Sequence, residues 1–501
     1  MKKIIYIISI LAFFSSCNLD ENPASLAEEH LNDSPDGAQL YVTGIYNTFW
    51  SSYMMKKTYM EWVDMDHDHA SAESWVVSGA GMGNVTTHWG YNHTDSDLFN
   101  AFFLIVNRAN MALKNIDSNI YISQEDKDQL KGESYFLRAY AYFHLVRMYG
   151  PVPLRLEFRT PRDVVRSSEE QVYNQIVIDL ENAIKLMHIE GMDSSRWGLA
   201  SKTAAKLLLA KVYANMGSGA VSQSAEMKVD IKGVVETFDT DAVAGCQDID
   251  ARTCYTRVKE LCDDIIAARG IHFDLRSNYL SLWGEPNKRN NEFIWGITGH
   301  NDFRTEHLNY YYTPYPYGGR GWAGISCHLY RMYEEQDHRA VYGVFHYMKR
   351  AIDSPQYDRF PNDATKYGTS PDGKPTRYSN FSDLVFPTKW YLGDIANPSA
   401  SSDVPTYQAQ DVPLLRFAEA YLLRAEALNE LDQPALALAD VDVIRARSNA
   451  SLLVGTTSDK VDVRSVILAE RAMEFAQEFN RKFDLLRWGL YLKVMNKTVN
   501  V

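Results

Sequence analysis

Basic residues are in the minority in this chain. Lys and Arg number 51 against 64 Asp and Glu, a formal net charge of −13. The mean surface field therefore repels nucleic acid and anionic lipid, and no Lys/Arg run marks a local basic patch. Long apolar runs are missing after the first 14 residues, which excludes a polytopic membrane protein. Cysteine is scarce. The 501 residues hold five, with no Cys-x-x-Cys spacing, so a zinc ribbon or a thioredoxin-like centre is not indicated. Gly-x-Ser-x-Gly, His-Glu-x-x-His and the Gly-Lys-Ser/Thr phosphate loop are absent, and Gly79, Gly81 and Gly83 do not lead into a helix start. What is present is ordinary for a globular protein. At 46% hydrophobic residues the chain can bury a sizeable core and is too apolar for disorder or collagen. Its length allows one large domain or about three small ones. Aromatic residues are in excess, with 31 Tyr and 10 Trp.

The N-terminus carries the pattern of an export signal. Met1-Lys2-Lys3 is a short positive segment, and Ile4 to Phe14 is almost wholly apolar. That stretch is too short to span a bilayer, which takes about 20 residues, and fits the hydrophobic region of a signal peptide. Ser15-Ser16 then precede Cys17, as in a bacterial lipobox, although Phe14 stands where Leu is preferred. The expectation is a signal peptide over 1–16 and a Cys17 bearing acyl chains, palmitate among them. More than one chain anchors stably, since each buried methylene contributes ~0.8 kcal/mol. Residues 17–35 follow as a polar, acidic tether. Cys246, Cys254, Cys262 and Cys327 remain, and two disulfides or four thiols are both compatible with an exported protein.

The body reads as helices. Over 123–149 Phe136, Tyr140, Phe143 and Val146 mark one buried face. Ser123 can cap its start, with Asp126 three residues on, and Gly150-Pro151 ends it. Similar periodicity covers 36–50, 98–116, 169–187, 198–216, 255–268, a helix from Leu414 to Leu428, 434–447 and 463–479. Alanines crowd the expected crossings, at Ala139, Ala141, Ala204, Ala205, Ala418, Ala420, Ala425 and Ala427, as in tetratricopeptide hairpins, though no strict 34-residue period survives. The fold class expected is all-α: tetratricopeptide-like hairpins over about 36–216, 255–285 and 411–490 within one domain from 36 to 501, with minor β structure. The best strand is Glu292–Ile297. Residues 217–253 read as a long loop. Two loop-rich stretches, 62–95 and 298–410, would form a ligand-binding face, because loops this long in a compact domain are usually functional.

Several segments, in order, resemble the SusD/RagB family of surface lipoproteins from the Bacteroidota. These are Asn107-Arg108-Ala109-Asn110, Gly132 through Tyr140, Tyr149 through Leu154, Lys202 through Tyr213, Pro413 through Ala427, Ile444 through Arg447, and Glu470-Arg471 through Arg487-Trp488-Gly489. Ala472-Met473 departs from the pattern, where a second basic residue is usual. The resemblance implies a non-enzymatic nutrient-binding protein on the outer membrane at the cell surface. It would serve as a lid on a SusC-like TonB-dependent transporter, capturing oligosaccharide in most members and peptide in some. It implies no cofactor. An anchored glycoside hydrolase is the rival from another class, since 64 acidic residues always contain pairs. Arg138, Glu419, Arg424, Glu426, Arg471 and Glu474 sit on otherwise apolar helices and are expected to form buried ion pairs that set helix register.

A sugar offers a patch of C–H groups ringed by hydroxyls, so its site needs flat aromatic side chains on polar loops rather than at helical spacing. Two clusters fit. Trp75, Trp89 and Tyr91 lie in a Gly-, His- and Asn-rich stretch. Tyr310, Tyr311, Tyr312, Tyr315, Tyr317 and Trp322 alternate with Pro and Gly beside Arg320. A weaker set is Tyr367, Tyr378 and Phe381. Trp283, Trp295 and Trp488 are expected in the core. The alternation Asp64-Met65-Asp66-His67-Asp68-His69 fails as an EF-hand, because His69 replaces the required Gly and Trp75 the required Glu. No metal site is assigned to it.

Overall fold

A computed structural model describes residues 31–51, 54, 57–72, 96–159, 161, 163–191, 195–299, 308–314, 317–349, 357–359, 377–378, 384–393 and 410–499. The signal sequence, Cys17, Trp75, Trp89, Tyr91, Tyr315, Tyr367 and Phe381 lie outside these residues.

Among the described residues, six long helices come first: α1 (Gly37–Tyr46), α2 (Ser96–Asn115), α3 (Gln124–Tyr149), α4 (Glu169–Leu186), α5 (Lys202–Val221) and α6 (Ala251–Ala267). Short α7 (Leu308–Tyr312), α8 (Cys327–Met332) and α9 (His338–Val341) follow. The stack then resumes with α10 (Phe417–Glu430), α11 (Pro434–Arg447), α12 (Lys460–Glu474), α13 (Arg481–Arg487) and α14 (Tyr491–Val499). Each helix packs on its predecessor within α1–α4, α5 packs on α4 and α6, and α6 meets α10, which packs on α11 and α12. The result is a mostly helical stack of tetratricopeptide-like hairpins. The eight alanines named above are all fully buried, so small side chains do stand at the crossings. No described helix is long and apolar enough to cross a membrane.

Caps set the helix ends. The Ser123 hydroxyl accepts from Asp126 N at 3.1 Å, satisfying one of the first-turn donors. Gly150 leaves α3 at φ +67°, a conformation that costs glycine little. A full capping box starts α4, where Ser168 and Gln171 each bond the other's backbone. Two boundaries differ from the sequence pattern. Residues 412–416 form strand β7 on β4 (Phe293–Ile297), so the helix expected from Leu414 begins at Phe417, whose N–H bonds the Glu292 carbonyl at 2.9 Å. The helix expected to reach 479 stops at Glu474, and Gln477 and Phe479 adopt φ of +60° and +62°. The stretch 217–253 is also not all loop. It holds the end of α5 and a hairpin, β2 (Glu226–Ile231) with β3 (Val234–Asp239), whose alternate residues pack on Leu468, Leu485 and Trp488. Short strands β1 (Ala70–Ala72), β5 (Ala323–Ser326) and β6 (Leu384–Val385) make a separate antiparallel sheet.

Buried ion pairs bind the stack, and they account for the charged residues of the family-like segments. Arg108 donates to Gly44 O at 2.6 Å and Thr48 Oγ1 at 2.8 Å, tying α2 to α1. Arg138 holds Asp179 of α4 through two bonds of 2.6 and 2.8 Å, and reaches Asn110 of α2 at 2.7 Å. Glu426 receives both terminal nitrogens of Arg487. Arg471 bridges Glu419 and Asp484. Glu474 faces Arg416, Arg447 and Arg339; burial acts against its charge, but three guanidinium groups outweigh this and hold it well below the usual carboxylate range. Arg424 pairs with Asp440 and Asp263 nearer the surface. Cys246, Cys254, Cys262 and Cys327 are buried and form no disulfide. Trp283, Trp295 and Trp488 lie in the interior.

Candidate ligand-binding site

The sequence cluster at 310–322 divides into a buried half and an exposed half. After α7 the chain doubles back. Arg320 N donates to Tyr310 O at 2.6 Å, Trp322 N to Tyr311 O at 2.8 Å and Gly321 N to Thr313 O at 2.8 Å. This reversal needs glycine at two places. Gly321 sits at φ +61°, and a Cβ on Gly319 would lie 1.8 Å from Thr313 O.

Tyr311, Tyr312 and Tyr317 were expected on the ligand face. The structure corrects this: all three are buried. α7 presents Tyr311 and Tyr312 to the main core. The Tyr312 hydroxyl donates to Asp64 Oδ2 at 2.6 Å, and Asp64 Oδ1 accepts from Phe479 N at 3.0 Å. Burial pushes the Asp64 carboxyl up to about 6, although these two bonds pull it down. Tyr317 packs against Phe345, with ring centroids 4.9 Å apart, and Tyr391. Their phenols are not offered to solvent; they brace the loop from beneath.

Tyr310 and Trp322 are half-buried and Arg320 is exposed. The Tyr310 and Trp322 rings lie 6.1 Å apart, and Tyr311 sits 5.2 and 5.3 Å from them as a floor. Arg320 Nε donates to the Tyr310 hydroxyl at 3.0 Å, with the guanidinium carbon 5.6 Å from that ring. Two half-buried aromatic rings and a cation thus share one small shelf. Trp322 leads directly into β5, where Ala323 pairs with Ala72, the last residue of β1. Trp75, Trp89 and Tyr91 lie outside the described residues.

The Asp64–His69 alternation is interior as well. Asp66 accepts from Lys482 Nζ and the Tyr491 hydroxyl. Asp68 takes a two-pronged bond from Arg481, which overcomes the upward effect of burial and lowers its acidity range sharply. Burial brings His67 down to about 4. Asp66 and Asp68 thus fasten residues 64–69 to α13. The contribution of Asp64 to the site was not anticipated, because its partners Tyr312 and Phe479 lie hundreds of residues away and no local pattern links them.

Comparison with known proteins agrees with this architecture. The family model described as "SusD family" matches residues 291–501, and the model described as "Starch-binding associating with outer membrane" matches 18–214. A SusD-like protein of Formosa agariphila is 25% identical over 98% of this chain and 90% of its own length. The starch-binding protein SusD of Bacteroides thetaiotaomicron is 36% identical over 23% of this chain and 19% of its own. Among solved structures, a SusD homologue from Bacteroides thetaiotaomicron superposes with a TM-score of 0.71 at 20% identity, covering 94% of this chain and 90% of that one. A structure titled as a laminarin-binding SusD-like protein gives 0.66 at 20% identity, covering 92% and 93%. Members of this family are binding proteins associated with carbohydrate and the outer membrane. With both family models matched and the same fold throughout, the chain belongs to the SusD/RagB family.

Proposed function

We propose that this protein captures an oligosaccharide at the cell surface and delivers it to a SusC-like TonB-dependent transporter, without catalysis. The observation that carries the reading is the shelf of Tyr310, Trp322 and Arg320. An aromatic ring face packs on the C–H patch of a sugar at low entropic cost, and a fixed guanidinium donates to its hydroxyls. Trp75, Trp89, Tyr91 and Tyr315 would complete the shelf from the neighbouring loops. Cys17, acylated after removal of residues 1–16, would tether the protein to the outer membrane. The starch-binding and laminarin-binding relatives support a glycan rather than a peptide as ligand.

Calorimetric titration of the protein against glycan and peptide panels tests this. A glycan should bind, and Trp322→Ala should weaken it at least tenfold while leaving the melting temperature within about 2 °C. Peptide binding alone, cleavage of a glycan, or unaltered affinity in Trp322→Ala would overturn the reading.

A further inference from the structure

Most charged side chains packed between the helices face an opposite charge. Lys211 faces Glu419 at 2.8 Å, Arg471 faces Asp484 at 2.9 Å, and Arg487 faces Glu426 at 2.5 Å. Arg147, in the last turn of α3, has no carboxylate within ion-pair distance among the described residues. Its guanidinium is clamped between the rings of Phe143 and Phe483, at 3.7 and 3.8 Å from their centroids. Nε donates to Phe143 O at 3.0 Å, and Nη2 lies 3.3 Å from His144 Nδ1. Nη1 has no partner among the described residues.

This cation borders a small cavity with ≈20 Å³ open to a water-sized sphere, lined also by Tyr59, His144, Lys211, Glu478 and Asn480. The space is large enough for one group of water or halide size. Its charged wall is predominantly positive. Lys211 gives two of its three N–H groups to Glu419 and to Asn480 Oδ1 at 2.8 Å, leaving one. The Glu478 carboxylate is occupied by Lys389 and Arg416, each at 2.6 Å. The two phenyl faces shield the flat sides of the half-buried Arg147 guanidinium and leave its Nη1 edge to a hydrogen-bonded anion.

We propose that a monovalent halide-sized anion, chloride under ordinary conditions, binds in this cavity between Arg147 of α3 and Lys211 of α5. It pairs with Arg147, and it fastens α3 and α5 to the Phe479–Asn480 segment that leads into α13. The site is separate from the glycan shelf and does not depend on that reading.

Crystals of the protein grown in sodium bromide, with diffraction collected at the bromine edge, decide the matter. An anomalous peak beside Arg147 is expected. In solution the melting temperature should stand about 1–2 °C higher in chloride than in gluconate at equal ionic strength, since a ligand held only by the folded state stabilises it. Arg147→Met keeps a similar apolar volume between the two rings and should abolish both the peak and the chloride response. No bromide peak in the wild-type protein, or a peak that persists in Arg147→Met, would overturn the proposal. The wild-type experiment stands even where the variant does not fold.

Discussion

Replacing Arg138 by Met isolates the contribution of one buried pair. Arg138 and Asp179 are both buried, and their bond joins α3 to α4 while a third contact reaches Asn110 on α2. Met removes the charge and leaves Asp179 with Gln175, at 2.8 Å, as its remaining side-chain partner. Stranding a buried charge in this way costs about 3–5 kcal/mol. The melting entropy is about 2.1 cal/mol/K per residue, or about 1 kcal/mol/K for a chain of this size, so the melting temperature should fall by about 3–5 °C. The loss should also depend on pH. Burial already raises the Asp179 carboxyl above its ordinary value of 3.8, against the pull of Arg138. Without Arg138 it rises further. A carboxyl raised in the folded state binds its proton more readily there than when unfolded. Its penalty is therefore absent below about pH 4 and grows as pH rises through the folded value. The gap between wild type and Arg138→Met should shrink as pH is lowered from 7 toward 5. The double variant Arg138→Met/Asp179→Leu should recover much of the loss, since no charge is left stranded. Calorimetric melts of the three proteins at several pH values are the assay. A loss under about 1 kcal/mol at pH 7, a loss independent of pH, or a double variant worse than the single one would refute the reasoning.

Two other substitutions probe the site's foundations. Tyr312→Phe removes the donor to Asp64, whose carboxyl sits near 6 against an ordinary 3.8. The expected cost is about 1–3 kcal/mol, larger at pH 8 than at pH 5 because the charged form is the one deprived of its bond; melts showing an equal or reversed pH trend would contradict it. Gly296→Ala places a methyl 2.2 Å from Val412 O across the β4–β7 pair, so backbone must shift, and urea unfolding should register a loss of about 1–3 kcal/mol.

The division of the Tyr310–Trp322 cluster shows where reading the chain reached and where it stopped. The cluster was visible as aromatics out of helical register between Pro and Gly. Which rings faced outward was not, because the short helix α7 turns Tyr311 and Tyr312 inward and leaves Tyr310 at the edge. Charged residues on apolar helices were legible as buried pairs, since a charge on a core face needs a partner. Their partners were not, as the Arg481–Asp68 pair joins positions 413 residues apart. The β2–β3 hairpin escaped notice because its stretch lies amid Gly, Ser and Asp, which read as loop composition.

Local periodicity, caps and small residues are properties of neighbouring positions, so the chain itself specified the helical stack, its alanine crossings and its glycine and proline stops. The pairing of Ala72 with Ala323, the brace from Tyr312 to Asp64 and the unpaired Arg147 are products of folding. They arise because packing brings distant segments within hydrogen-bond range and excludes the water that would otherwise satisfy each group alone. The shelf proposed for carbohydrate belongs to this second kind: its residue types were written in the chain, and its shape was made by the core beneath it.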